Sequence, residues 1–258
     1  MKRRSGTRRV IEHNLLVFRR TWRGTVFVTF IAPVLFLAAM GVGLGSFVNR
    51  NSGGVEGVPY RDFLAPGLLA ATAMQTAMVQ MSYPIMAKVK WLHIYEGMLA
   101  TPLRVGDLLM GETIWMALQL ALVCTIYFAV IVLFGAVRSS QAPIAIAAGI
   151  LTGLAFAVPI MAYTATQSRD SGFAVLNRFI VIPLFLFGGT FFPVSRLPLV
   201  LQVVAWATPL AHGVALARSA TLGTLNMSSA LVHVLIPCAY AALGIMAASM
   251  TLRQKLVV

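Results

Sequence analysis

Long apolar runs separated by short polar stretches dominate this chain. The first covers residues 25–48 (TVFVTFIAPVLFLAAMGVGLGSFV), and others follow at about 63–87, 113–135, 143–166 and 229–251. Each meets the roughly 20 residues that a helix needs to cross a hydrocarbon core. A further run starts near Phe179 and enters a stretch, 185–218, that reads FLFGGTFFPVSRLPLVLQVVAWATPLAHGVALAR. This stretch is too apolar for a water-exposed loop. It is also too broken for one straight span, because Gly188, Gly189, Pro193, Pro198 and Pro209 interrupt it. Proline removes a backbone donor and clashes with the preceding helical turn. Only about 14 residues separate Phe179 from Pro193, so this fifth span needs part of the following segment to complete a crossing. Non-helical backbone at membrane depth persists only where protein or a water-filled cavity covers it. The pattern predicts an all-α integral membrane protein with six transmembrane helices and a re-entrant helical element before the last span.

Ahead of the first run, Ile11, Leu15, Phe18 and Trp22 recur at helical spacing among Arg8, Arg9, Arg19, Arg20 and Arg23. An apolar stripe on a basic helix suits the membrane interface. The chain therefore divides into a basic tail with an amphipathic interfacial helix at 1–24 and a six-span domain at 25–258. The tail resembles the basic region of a signal peptide, but the apolar run after it far exceeds the roughly 7–15 residues of a signal core, so it reads as a retained span. With the N-terminus inside, the inner segments 2–23, 87–112, 167–178 and 252–258 hold eight, three, two and two Lys/Arg, against five outside (Arg50, Arg61, Arg138, Arg196, Arg218). Basic residues favour the cytoplasmic side, which puts both termini there.

Composition narrows the class further. The 258 residues are 59% hydrophobic and 10% charged. Soluble domains carry about 25% charged residues. The net charge of +13 flanks apolar runs, where it sets topology and meets anionic headgroups, so nucleic-acid binding is set aside. Cys124 and Cys238 lie inside apolar runs without metal-like spacing and read as small apolar fillers.

The longest inner connection, 87–112, mixes Lys88, Lys90, Glu96, Arg104, Asp107 and Glu112 with Trp91, Leu92, Ile94, Tyr95, Met98, Leu99 and Leu103. Gly97 and Thr101-Pro102 divide it into short helices, with Pro102 able to start the second. Such an apolar face must be covered by lipid or by a partner. It reads as a docking element, or else as an interfacial loop capping the bundle. No phosphate-binding loop is present. The seven acids fall in loops or at span ends, which argues against an ion-coupled carrier. His13, His93, His212 and His233 are scattered and form no metal pattern. Serines lack a nucleophile context. Gln75 and Met78 in the second run, Gln119 in the third and Tyr163 in the fourth are candidates for a path for amphipathic cargo, or for hydrogen bonds between helices. The runs carry no cluster of Arg to mark a phosphate-rich substrate. Gly41 and Gly45, like Gly149 and Gly153, have the spacing that permits close helix contact.

Three stretches carry a family likeness: FLAPGLLA at 63–70, YEGMLATPLRVGDLLMGE at 95–112, and GTFFPVSRLPLVLQVVAWATPLAHGVALAR at 189–218. With the six-span plan, the chain resembles the type-2 ABC exporter permeases, in the branch of nodulation lipo-oligosaccharide exporters and daunorubicin-resistance permeases. The resemblance implies a chain that is no enzyme itself and binds no cofactor, with Mg-ATP hydrolysed in a separate cytoplasmic ATP-binding cassette subunit. It implies a second permease copy or a related permease, lipid contact, and residence in a prokaryotic cell membrane. Tyr95, Glu96, Leu99, Thr101, Pro102 and Arg104 would match the coupling helix. Phe192, Pro193, Pro198, Pro209 and His212 would belong to re-entrant helices, here an outer gate. Export of a lipid, glycolipid or drug is then expected. The alternative is a non-transporting scaffold or assembly factor that recruits a cytoplasmic partner.

Overall fold

The computed structural model describes residues 6–256, so Lys2, Arg3 and Arg4 of the expected tail lie outside it. Regular structure among the described residues is helical, apart from one isolated bridge between Val55 and Val58. The helices are α1 (Gly6–Ser52), α2 (Tyr60–Met81), α3 (Ile94–Leu99), α4 (Val105–Leu133), α5 (Ile144–Thr166), α6 (Ser171–Phe187), α7 (Leu199–Trp206), α8 (Pro209–Leu222) and α9 (Met227–Leu256).

α1 is one helix of 47 residues. The helix continues past residue 24 without a break, since neither a proline nor a capping side chain stands there to stop it. Pro33 falls inside it, and a wider π-helical stretch, Leu37–Leu44, follows within two turns. A missing donor and a widened turn are two ways in which a long helix absorbs a local fault. The first turns of α1 lie against the start of α4. Val10 is fully buried beside Gly111, and Phe18 meets Trp115 edge-on at 5.8 Å. The expected apolar stripe therefore splits. Phe18 packs inward, while Leu15 and Trp22 remain exposed as surface for lipid.

α2 is the most enclosed long helix. Most of its 22 residues are buried, and it packs against α4, α5 and α8. It ends at Met81, six residues short of the expected limit, because Ser82 adopts φ −92°, ψ −95° and breaks the helical path. The seam between α2, α4 and α5 uses small residues. Gly149 meets Leu69 and Cys124, and Gly153 meets Leu120. Without a hydrophobic driving force between helices in lipid, close packing of this kind carries much of their association. Cys124 fills this core, whereas Cys238 sits exposed on α9.

Two ends of the molecule can be defined. At one, here the Tyr95 end, lie the start of α1, α3, the start of α4 and the end of α9. Leu103 and Asp107 touch Gly6, and Arg253 and Leu256 share a groove with Leu99 and Arg104. At the other, the Arg218 end, Arg61 reaches Gly135 and Arg138 reaches Thr221. The bundle between these ends is built largely from α1, α2, α4, α5, α6 and α9. Four of them, α1, α4, α5 and α9, are long and apolar enough by themselves to cross a membrane. α2 carries amides that lower its hydropathy, and α6 has only 17 residues, about 25 Å at 1.5 Å per residue. α6 starts at Ser171 rather than near Phe179, and so takes in Asn177 and Arg178, which are both exposed.

The broken stretch forms a helical hairpin. α7 and α8 meet at 83° across Ala207 and Thr208. Pro198 caps α7 and Pro209 opens α8, positions where the missing N–H costs nothing. α8 packs on α2 and α5, with Gly213 pressed against Thr152, while Leu199, Val200 and Val203 of α7 are exposed.

Candidate functional site

Three places gather the polar groups of an otherwise apolar molecule. The first is at the Tyr95 end. Lys88 Nζ lies 2.7 Å from Glu112 Oε1 and 2.8 Å from Asn14 Oδ1, and Asn14 Nδ2 donates to Glu112 Oε2 at 3.1 Å. Three segments of chain meet in this buried knot: the start of α1, the helical turn Ala87–Trp91, and α4. Glu112 stands two turns inside α4, at the Tyr95 end of that helix. Asp62, also buried, sits in the first turn of α2, held by Arg138 at 2.8 Å and by Arg61 at 3.1 Å.

α3 stands on this knot. His93 adopts a left-handed conformation, φ 49°, which turns the chain so that Tyr95 points inward. Tyr95 is fully enclosed beside Glu112. Burial, and then the nearby Glu112 charge, push the phenol well above its ordinary pKa, so it stays neutral. The remaining candidates of this element face outward. Glu96 is exposed beside His93, and Thr101, Pro102 and Arg104 are exposed. Leu99 is half-buried and lines the groove shared with Arg253. Pro102 does not start the next helix. α4 begins at Val105, with the Arg104 backbone N–H bonded to Asp107 Oδ2 at 3.1 Å. Trp91 and Leu92 add exposed apolar surface at 55% and 65%.

The second place is a hollow of about 490 Å³ between α1, α2 and α4. Gln75, Gln80 and Gln119 face it, together with Thr25, Thr29 and Thr72. It carries hydroxyls and amides but no charge, which suits uncharged polar groups attached to an apolar body. The four expected path residues are not all here. Gln75 and Gln119 come together, but Met78 is buried on the opposite side of α2, and the Tyr163 hydroxyl donates to Gly172 O near the end of α5.

The third place is the hairpin. His212 is buried. Its Nε2 lies 2.8 Å from Trp206 O, and its Nδ1 lies 2.8 Å from His233 Nδ1 on α9. A carbonyl accepts, so in the neutral pair His212 Nε2 donates and His233 Nδ1 donates to His212 Nδ1. Trp206 stacks on His233, and the Tyr240 hydroxyl donates to Ala207 O at 2.8 Å. The corner between α7 and α8 is thus tied to α9. Phe192 and Pro193 lead into the hairpin, Phe192 in aromatic contact with Phe187, and Pro198 and Pro209 start its two helices. Arg218, counted above among the outer basic residues, turns inward. Nε donates to Phe63 O and Nη2 to Gly189 O, at 3.0 and 2.8 Å. Carbonyls freed by the glycine break need donors, and Arg218 provides them. That Lys88, Asn14 and Glu112 meet, and that Trp206 and His233 meet His212, escaped the sequence reading because the partners lie on different segments. An acid two turns inside an apolar helix was the one visible signal.

The comparisons with known proteins bear on this arrangement. The sequence matches the family described as ABC-2 type transporter over residues 7–222. It is 30% identical over 247 residues to Nodulation protein J of Rhizobium leguminosarum bv. viciae, covering 96% of this chain and 93% of that one. Nodulation protein J of Bradyrhizobium diazoefficiens is 31% identical over 96% of this chain and 92% of its own. That of Sinorhizobium fredii is 31% identical over 90% and 87%.

Proposed function

The chain belongs to the ABC-2 type transporter family, the multi-pass, non-ATPase subunits of prokaryotic plasma-membrane transporters, and from that premise we propose that it is the permease of an ATP-driven exporter of an amphipathic or lipophilic molecule. A lipid, glycolipid or drug is the cargo class. The six helices α1, α2, α4, α5, α6 and α9 all cross the bilayer in this reading, with both termini and the Tyr95 end in the cytoplasm. The start of α1 lies at the inner interface. A separate ATP-binding cassette subunit hydrolyses Mg-ATP, and a second permease completes the path.

The observation that carries the reading is the seating of α3. Tyr95 is buried against the knot that joins α1 and α4, while Glu96, Thr101, Pro102 and Arg104 face outward. A subunit that grips the outward face can move α3, and Tyr95 passes that movement into the two helices that wall the hollow. Rigid elements moved by a partner are the usual means of switching access. Gln75 and Gln119 would meet the cargo as it passes. The hairpin, from Phe192 through Pro193, Pro198 and Pro209 to His212, would close the outer side.

The test is reconstitution in vesicles with an ATP-binding cassette ATPase that assembles with this chain. ATP-dependent movement of a labelled lipid or drug between leaflets, absent without the permease, is expected. An assembled complex that hydrolyses ATP and moves no member of a lipid and drug panel would instead favour a scaffold.

A further inference from the structure

A second cavity, of about 500 Å³, lies at the Arg218 end, between the hairpin, the start of α9 and the turn that carries Glu56. Its charge sets it apart from the uncharged hollow. Arg138 and Arg218, far apart in the sequence, both line it, and Glu56 is the one acid that does. Arg138 has a carboxylate partner in Asp62, which it shares with Arg61. Arg218 has none among the described residues. Its Nε and Nη2 are spent on the backbone carbonyls of Phe63 and Gly189, its guanidinium lies 3.6 Å over the Phe63 ring, and no carboxylate lies within ion-pair distance among the described residues. Carbonyls and a ring face solvate a cation but leave its charge unbalanced, and an unbalanced charge in an apolar setting is costly. Nη1 is left without a hydrogen-bond partner among the described residues. The Glu56 carboxylate acts on Arg218 electrostatically from an exposed position, without an ion pair. The remaining walls combine apolar Val194, Trp206, Val214 and Leu222 with the neutral polar side chains of Ser195, Ser219, Thr224 and Ser229 and the ring of His233.

We propose that this cavity binds an anionic headgroup, a phosphate or carboxylate carried on an apolar chain, with Arg218 as its anchor and Glu56 as the charge that opposes it. The fixed fork of a guanidinium suits both oxyanions, and the apolar part of the walls accepts the chain. Such a group can be the head of a membrane phospholipid or of cargo leaving by this end. The proposal deepens the export reading by naming a charge class, and it rests on that reading for the direction of travel alone. Binding is measured on the chain without any ATPase, so loss of binding leaves export standing and loss of export leaves binding standing.

The experiment is calorimetric titration of the purified full chain, in neutral maltoside micelles, with decyl phosphate. Saturable binding near one per chain is expected. Glu56→Gln removes the opposing charge from an exposed turn without touching the fold, and should tighten binding about fivefold, while Arg218→Gln should weaken it at least about tenfold. Arg196→Gln, which removes a charge beside but outside the cavity, should leave affinity within about twofold. Non-saturable uptake, or equal loss in Arg196→Gln and Arg218→Gln, would mean general attraction to a basic surface and would overturn the proposal. So would an unchanged affinity in Glu56→Gln, which stays informative even where Arg218→Gln fails to fold because its carbonyl contacts are gone. Phosphorus analysis separates the sources. Phosphate that co-purifies one per chain and is displaced by decyl phosphate identifies a lipid headgroup. Binding to chains that carry none identifies a cargo headgroup.

Discussion

Glu112 has both carboxylate oxygens filled, by Lys88 and Asn14, in a pocket where it is 3% exposed. Removing one partner from a buried pair leaves the other charge alone and costs about 3–5 kcal/mol. The two partners are not equivalent. Lys88 is 17% exposed and can carry its ammonium toward water on a flexible stem, which a carboxylate in the core cannot do. Lys88→Met should therefore lower the thermal midpoint in detergent more than Glu112→Leu does. The double variant should lose less than the two single losses combined, because nothing charged is then left behind. A larger loss for Glu112→Leu would show that the knot is held by something other than this pair. Nothing in the sequence places Asn14 or Lys88 with Glu112. The two sit 98 and 24 residues away from it, and the meeting depends on how α1 and the turn before α3 lie on α4.

Elements follow the apolar pattern closely where the signal is local. The prolines at 193, 198 and 209 predicted breaks, and each stands at a helix start. α5 matches its predicted run within one residue. Boundaries fail where a polar residue is absorbed into a helix, as Glu112 is in α4 and Arg178 in α6, because hydropathy stops at a charge while backbone hydrogen bonding does not. The tie between hairpin and α9 was equally hidden, since the partners of His212 and Ala207 lie on a helix that follows later. That tie sets the hairpin's local stability. His233→Ala and Tyr240→Phe together remove two contacts worth about 1 kcal/mol each. Amide exchange across 199–222 should then speed up about tenfold or more, with exchange in α5 unchanged. Equal acceleration in both regions would mean global destabilisation and no particular role for the corner.

For the whole molecule, the described ends of the chain share one end of the bundle, and most Lys and Arg residues lie toward it. In the proposed topology this bias puts the Tyr95 end in the cytoplasm. In a variant lacking Cys124 and Cys238, Thr101→Cys should resist a membrane-impermeant thiol reagent in intact cells, while Ser52→Cys should react. Both positions are exposed, so access to the reagent alone decides the result. The reverse pattern would invert the topology. The central claim, that force applied at α3 drives transport, is tested most directly by measuring molecules moved per ATP hydrolysed in Glu96→Arg. Glu96 is 59% exposed and its only ion-pair partner among the described residues is the similarly exposed His93, so the fold should survive the change. The account predicts an assembled, folded complex whose transport per ATP falls at least about tenfold, as expected when a coupling energy of about 1.4 kcal/mol or more is lost. An unchanged ratio in that same complex would contradict it.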